Sequence, residues 1–365
     1  MLKIIRLLIV LCILISSFNK ELKAQTLENA IFYGREYFTL EGTTIPDSLK
    51  EHPYDRLPLS YKDKVRGPVW TLSQSSAGIS VNFRSNTTSV SAKWEVLADL
   101  EMNHMAETGI KGVDLYIKTG NEWQFVNTGR PEAKVNKSLL ISNLPAEMRE
   151  YKMYMPLYDG VVSLQIGIDS LSIIEKAKKD DRKPIVFYGT SITQGACATR
   201  PGMAYINILS RKLDIPCINY GFSGNGRMET PLVEVISNID ALFYVIDGTG
   251  NMKPEEIHEN AFPLVEMIRS KHPATPIIFI DGPLSQKSYF DMVERKKIDD
   301  KNNMLKSEFE KMIKNGVKNV YYVNSKEIEG IDHEGTVDGI HYNDLGFMRF
   351  ADFLIIKFRK LKLIK

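Results

Sequence analysis

The sequence predicts an α/β protein: a C-terminal three-layer α/β/α domain on a five-stranded parallel sheet, residues 183–365, preceded by an all-β sandwich, residues 26–178. Three observations predict it. The first half consists of short segments in which apolar and polar residues alternate, the signature of half-buried antiparallel strands. The second half holds five compact apolar runs, each followed by a helical stretch, as a parallel sheet covered on both faces requires. Between them, the charged stretch Lys176–Lys183 reads as a linker or exposed turn.

The chain has 365 residues, 43% of them hydrophobic and 25% charged, an ordinary globular composition with length enough for two cores. Met1–Gln25 stands apart. Lys3 and Arg6 precede an apolar run from Leu7 to Ile15, and a polar stretch follows, so this segment reads as a secretory signal and the protein as secreted or periplasmic. The apolar run is too short for a membrane span, which needs about 20 apolar residues. Cys12 follows Val10 and Leu11 rather than the small residues a lipid-anchor site requires. Without the leader the net charge falls from +2 to about −1, and nothing recommends a nucleic-acid partner. The basic residues near the C-terminus, Lys357, Arg359, Lys360, Lys362 and Lys365, alternate with Phe358, Leu361 and Ile364 as on the wet face of a terminal helix.

Strands are predicted at Ile79–Arg84, Ser89–Trp94 and Val113–Ile117, with hairpin connections at Asn86–Thr88 and Lys118–Asn121. Trp70, Trp94 and Trp123 all fall in this half. They could stack on sugars, but core packing is the plainer role for any one of them. In the second half the strands are predicted at Ile185–Tyr188, Cys217–Tyr220, Ala241–Asp247, Ile277–Asp281 and Val320–Val323. The helices are predicted at Ala204–Leu213, Pro231–Ile239, Pro254–Lys271, Asn303–Asn315 and Asp344–Lys362. In the third helix Ile257, Ala261, Leu264, Val265 and Ile268 form one apolar stripe, and Pro263 predicts a kink or break.

In an open parallel sheet, ligands bind beyond the carboxyl ends of the strands. Ser191 follows the first apolar run by three residues, Gly224 the second by four and Asn251 the third by four, while Asp338–His341 lies in the long connection after the fifth. All four land on one rim. Taken singly, Ser191 could be a helix N-cap, Gly224 a tight turn and Asn251 an Asx turn. Together they supply a nucleophile, donors for a developing oxyanion and an imidazole with a carboxylate to orient it, which is the outline of an acyl-transfer site. His333 is a rival base, flanked by the solvent-facing Asp332 and Glu334.

Other chemistries fit poorly. Gly189–Gly195 lacks the Gly-Lys-Ser/Thr ending of a phosphate loop, and Gly224-Asn225-Gly226 lacks dinucleotide-fingerprint spacing. No His or Cys spacing matches a structural zinc site, so neither metal nor cofactor is expected. Cys197 and Cys217 could pair in an oxidising compartment. The segment Gly282–Lys301, with Tyr289 and Phe290, is a candidate substrate wall or simply a surface helix.

The ordered set Ser191, Gly224, Asn251 and His341 with Asp338 resembles the SGNH hydrolases, also called GDSL esterases. Gly112-Val113-Asp114-Leu115-Tyr116 resembles the Gly-x-Asp-Leu-Tyr signature of a β domain found in one branch, and Val337–Gly346 resembles that branch's terminal block. The resemblance implies Ser191 as nucleophile, His341 as base and Asp338 as its orienting group. It implies an oxyanion hole from the N–H groups of Ser191 and Gly224 and the side chain of Asn251. Two departures stand out: Thr190 replaces an aspartate before the serine, and Met252 follows Asn251 where many members have aspartate.

The reaction so implied is two-step hydrolysis of an ester without cofactor, the substrate a small-molecule or glycan ester and the acyl group acetyl. A lipase or thioesterase is the nearest alternative, disfavoured by the polar residues Thr193, Gln194, Thr199 and Arg200 near Ser191. A non-catalytic glycan-binding protein is the other, disfavoured by the intact Ser191, Asp338 and His341.

Overall fold

The computed structural model describes residues 29–326, 328 and 330–365; the expected leader, with Cys12, lies outside them. The first half contributes ten strands among the described residues: β1 (Ile31–Tyr33), β2 (Thr39–Glu41), β3 (Ser80–Ser85), β4 (Val90–Val96), β5 (Val113–Thr119), β6 (Glu122–Gly129), β7 (Val135–Ile141), β8 (Arg149–Tyr154), β9 (Val161–Ile168) and β10 (Ile174–Lys176). They form two antiparallel sheets, one ordered β1-β9-β4-β7 and the other β10-β3-β8-β5-β6 with β2 also on β3. Inward residues of both sheets, among them Phe83, Trp94, Leu115, Tyr151 and Ile166, share one core.

The predicted hairpin at Lys118–Asn121 joins the paired strands β5 and β6, with Gly120 in the left-handed region at φ +61°. The one predicted at Asn86–Thr88 is a crossing instead: β3 and β4 belong to different sheets. Asp169 holds that crossing, its Oδ2 accepting from the Thr88 N–H at 2.7 Å and the Thr87 hydroxyl at 3.0 Å. Turn residues signal a reversal without saying which sheet receives the next strand.

The second half is a parallel sheet of β11 (Ile185–Gly189), β12 (Cys217–Gly221), β13 (Phe243–Asp247), β14 (Ile277–Ile280) and β15 (Val320–Val323), ordered β12-β11-β13-β14-β15. Every residue of β11 to β14 is buried, which is why these strands read as unbroken apolar runs. The principal helices are α1 (Gly67–Ser73, from the first half), α2 (Ser191–Gln194), α3 (Tyr205–Leu213), α4 (Thr230–Ser237), α5 (Pro254–Lys271), α6 (Met292–Lys314) and α7 (Asp344–Lys360); a further single turn, Glu107–Ile110, precedes β5. On one face α3 and α7 pack on Phe187, Phe243 and Val245. On the other α4, α5 and α6 pack on Val186, Tyr188 and Tyr244.

Helix α5 runs unbroken through Pro263. The residue four before it, Glu259, is exposed like Pro263 itself, so the carbonyl the proline leaves unpaired faces water and the helix need not break. Helix α6 begins eleven residues before its predicted start at Asn303. Its early turns are charged and lack an apolar stripe, and they stand on the Asp291 N-cap, which accepts from the N–H groups of Val293 and Glu294, and on i,i+4 pairs such as Arg295–Asp299 at 2.9 Å.

The halves are stapled by the Gly-x-Asp-Leu-Tyr segment. Val113 and Leu115 point into the sandwich, and by strand alternation Asp114 and Tyr116 point the other way. Asp114 Oδ2 accepts from Arg200 Nη1 at 2.7 Å and the Gly202 N–H at 2.8 Å, while the Tyr116 hydroxyl accepts from Arg200 Nη1 at 2.7 Å. The motif therefore fastens the loop that leaves α2. Leu57, Val69 and Trp70 also enter the α/β core, so the first half supplies part of the hydrophobic support for the sheet that carries the site.

Candidate active site

Strand β11 ends at Gly189, Thr190 turns the chain in extended conformation, and Ser191 opens α2. Helix α2 lies against the end of β12 so closely that a Cβ on Gly221 would meet the Gln194 nitrogen at 2.1 Å. No side chain fits there, and the close approach brings the Gly221–Gly226 turn beside Ser191. Gly224 in that turn has φ +67° with open space where a Cβ would go, so the demand for glycine is conformational rather than steric.

The segment before α7 reaches the same rim. Ser191 Oγ lies 2.9 Å from His341 Nε2, and His341 Nδ1 lies 2.7 Å from Asp338 Oδ2. Asp338 Oδ1 accepts from the N–H groups of Ile340 at 3.0 Å and His341 at 2.8 Å. Partial burial pushes the Asp338 carboxyl up, but the hydrogen bonds from the His341 ring and these two amides outweigh it and hold the group below the usual carboxylate range. A carboxylate facing Nδ1 accepts the ring hydrogen there and leaves the lone pair on Nε2, toward the serine hydrogen.

Asn251 follows β13 and lines the cavity beside Ser191. Its Nδ2 donates to the Phe222 carbonyl at 3.3 Å; with the amide turned over, Oδ1 accepts instead from the N–H groups of Asn225 and Gly226, each at 3.1 Å. In either orientation the amide is fastened to the Gly221–Gly226 turn. The two departures from the family pattern have local accounts. Met252 is buried in the core under α5 rather than facing the site. Thr190 makes no side-chain cap; Thr193, two residues beyond Ser191, instead donates its hydroxyl to Asp247 Oδ2 at 3.0 Å.

Ser191, Gly224, Asn251 and His341 all line one cavity of about 400 Å³. Its walls mix Ile192, Leu284, Ile298 and Ile340 with the polar Asp247, Ser285, Lys301 and Asn302. The wall expected at Gly282–Lys301 contributes through its two ends. Tyr289 and Phe290 in its middle do not line the cavity, and Phe290 is 91% exposed. His333 is exposed and sits edge-on to Tyr289 with ring centroids 4.7 Å apart, so the hydrogen bond to Ser191 belongs to His341. Cys197 and Cys217 are both buried and free: Cys197 follows α2 at the carboxyl rim and Cys217 opens β12 at the other end. Trp94 is buried with Nε1 donating to the Lys111 carbonyl at 2.9 Å, Trp70 packs under the α/β sheet, and Trp123 lies beneath the ammonium groups of Lys152 and Lys118 at 4.8 and 5.6 Å.

Four groups escaped the sequence reading. Burial pushes the Asp247 carboxyl up, and despite the Thr193 hydrogen bond it stands at about 7, with Asp281 adding to the rise. Gln194, fully buried, accepts from the Ser223 N–H at 3.0 Å and donates to the Leu157 carbonyl at 3.1 Å. Arg56, also buried, donates to the Gly221 carbonyl at 2.6 Å, the Ser75 carbonyl at 2.9 Å and the Leu72 carbonyl at 2.6 Å. His104 brings its ring within 5.8 Å of the His341 ring. Gln194 was visible inside the serine motif as a polar residue without an evident role. The other three carry no local signal, because their partners lie far off in the chain.

The family model described as the GDSL-like lipase/acylhydrolase family matches residues 182–359, and that of the N-terminus of SGNH-hydrolase-type esterases, GxDLY, matches residues 32–174. No curated protein matches the chain. Among solved structures, one from Bacteroides ovatus described as a GDSL-like lipase is 35% identical, covering 92% of this chain and 99% of its own, with TM-score 0.88. The salicylyl-acyltransferase SsfX3 of a tetracycline biosynthetic pathway is 15% identical, with 92% and 98% covered and TM-score 0.75. The acetyl xylan esterase Est2A of Butyrivibrio proteoclasticus is 12% identical, with 94% and 100% covered and TM-score 0.55. The last two likenesses establish the shared fold.

Proposed function

The chain belongs to the GDSL-like lipase/acylhydrolase family, and from that premise we propose that it is an exported serine esterase that removes O-acetyl groups from carbohydrate. The observation that carries the reaction class is the unbroken relay of Ser191 Oγ, His341 Nε2, His341 Nδ1 and Asp338 Oδ2 at 2.9 and 2.7 Å. Ser191 attacks the ester carbonyl while His341 takes its proton, and Asp338 fixes the tautomer and stabilises the imidazolium. The N–H groups of Ser191 and Gly224 and the Asn251 amide receive the oxyanion. His341 returns the proton to the departing alcohol, then activates the water that frees the acid.

The sugar ester rests on weaker support. Asp247, Ser285, Lys301 and Asn302 place hydrogen-bonding groups among the apolar walls of the cavity, where they can meet the hydroxyl groups of a sugar. Est2A is an acetyl xylan esterase of the same fold, an analogy of fold alone. Export through Met1–Gln25 is part of the same reading.

Acetate release from p-nitrophenyl acetate tests the reaction: wild type should turn over and Ser191→Ala should retain only the residual rate of binding and the oxyanion hole. Equal rates would remove Ser191 from the mechanism. A screen of acetylated xylan, pectin and simple acetyl sugars tests the substrate, and preference for long-chain acyl esters would overturn the carbohydrate assignment.

A further inference from the structure

Two further metal-ligating groups lie close to the His341 ring. His104, on a loop of the first half, and Cys197, just after α2, each offer one ligand atom that lies within 4.8 Å of the other and of a His341 ring nitrogen. The three come from residues 93 and 144 positions apart, so no spacing rule could have revealed them. We propose that His104, Cys197 and His341 form an inhibitory site for a zinc-class divalent cation, which switches the esterase off by taking its catalytic imidazole.

The donor set suits such an ion. Two imidazoles and a thiolate are ligands zinc prefers over the oxygen donors of calcium and magnesium. The His104 Nδ1 is 2.9 Å from Asn103 Oδ1, an oxygen that can only accept, so Nδ1 carries the hydrogen and Nε2 keeps a lone pair for a metal. Tetrahedral zinc, with bonds of about 2.0 to 2.3 Å, wants its ligand atoms roughly 3.5 Å apart, so the site needs about an ångström of closure. His104 can supply much of it, being half-buried on an irregular loop. Cys197 is buried and forms the fixed floor. On binding, the thiol proton leaves to solvent as the sulfur–metal bond forms, and water completes the coordination.

The consequence follows from the ring. Both nitrogens of His341 are engaged, one with Ser191 and one with Asp338. Whichever nitrogen the metal takes, the relay loses a link. His104 does not line the cavity that Ser191 opens onto, so removing it should spare the reaction itself.

The proposal rests on the esterase reading only for its kinetic arm. Titration with Co²⁺ should give a near-ultraviolet thiolate-to-cobalt band, displaced by Zn²⁺, in wild type and in Ser191→Ala alike. In the p-nitrophenyl acetate assay, micromolar Zn²⁺ should abolish wild-type turnover and EDTA should restore it. His104→Ala should keep the metal-free rate and need at least about tenfold more Zn²⁺ for half-inhibition, the scale of losing a supporting ligand; Cys197→Ser should lose the cobalt band. Unaltered zinc sensitivity in His104→Ala and Cys197→Ser would overturn the site, as would a wild-type protein with no cobalt band. Absence of turnover alone, with the band present, would count against the esterase reading and leave the metal site standing.

Discussion

Asp247→Asn separates what the fold needs from what the chemistry tolerates. Asp247 ends β13, is 4% exposed and lines the cavity, and its carboxyl stands at about 7 against an ordinary value of 3.8. An acid whose value is raised on folding contributes its full stability below the unfolded value and loses it as the pH climbs through the folded one, because between the two the unfolded chain has released a proton that the folded chain retains. The gap is about three pH units, and at 1.36 kcal/mol per unit it makes wild type roughly 4 kcal/mol less stable above pH 8 than below pH 4 on account of this group alone. Asparagine keeps the shape and can still accept from the Thr193 hydroxyl, and it does not titrate. Urea unfolding of both proteins between pH 4 and 8 should therefore show a downward slope in wild type that is largely absent in Asp247→Asn. Parallel slopes would refute the assignment of this carboxyl as a buried, late-ionising group.

Three further outcomes are expected from the site. Asn251→Ala should lower kcat for p-nitrophenyl acetate roughly 100- to 1000-fold, the usual worth of one oxyanion donor; an unchanged kcat would mean the Asn251 amide does not meet the reacting oxygen. Asp338→Asn should cost about 10⁴-fold in kcat with little change in urea midpoint, since an amide can hold the ring in the wrong tautomer; a loss below tenfold would leave the carboxylate without a role. Arg56→Met leaves the Gly221 and Ser75 carbonyls short of a donor and should destabilise the protein by about 2 to 4 kcal/mol, lowering kcat more than it changes KM because Gly221 leads into the turn that carries Gly224, the proposed oxyanion donor. A stable variant of normal kcat would show that the first half does not brace that turn.

The sequence by itself determined the strands of the parallel sheet, the apolar stripe of α5, and that Ser191, Asn251, Asp338 and His341 lie on one rim of that sheet. These are legible because burial on both faces writes unbroken apolar runs and because, in a parallel sheet, the loops that leave the strands at their carboxyl ends all gather on one edge. Local patterns cannot report a partner distant in the chain, and that is where the reading stopped or erred. Asn86–Thr88 looked like a hairpin because turn chemistry is the same whichever sheet comes next, and the charged early turns of α6 carried no stripe to read.

Only the tertiary structure decided that Asp114 and Tyr116 clasp Arg200, that Arg56 braces the Gly221 carbonyl, and that His104 and Cys197 gather beside His341. Each joins residues across scores of positions. What brings them together is the packing of two cores against each other, a property of the whole chain that no window of sequence contains.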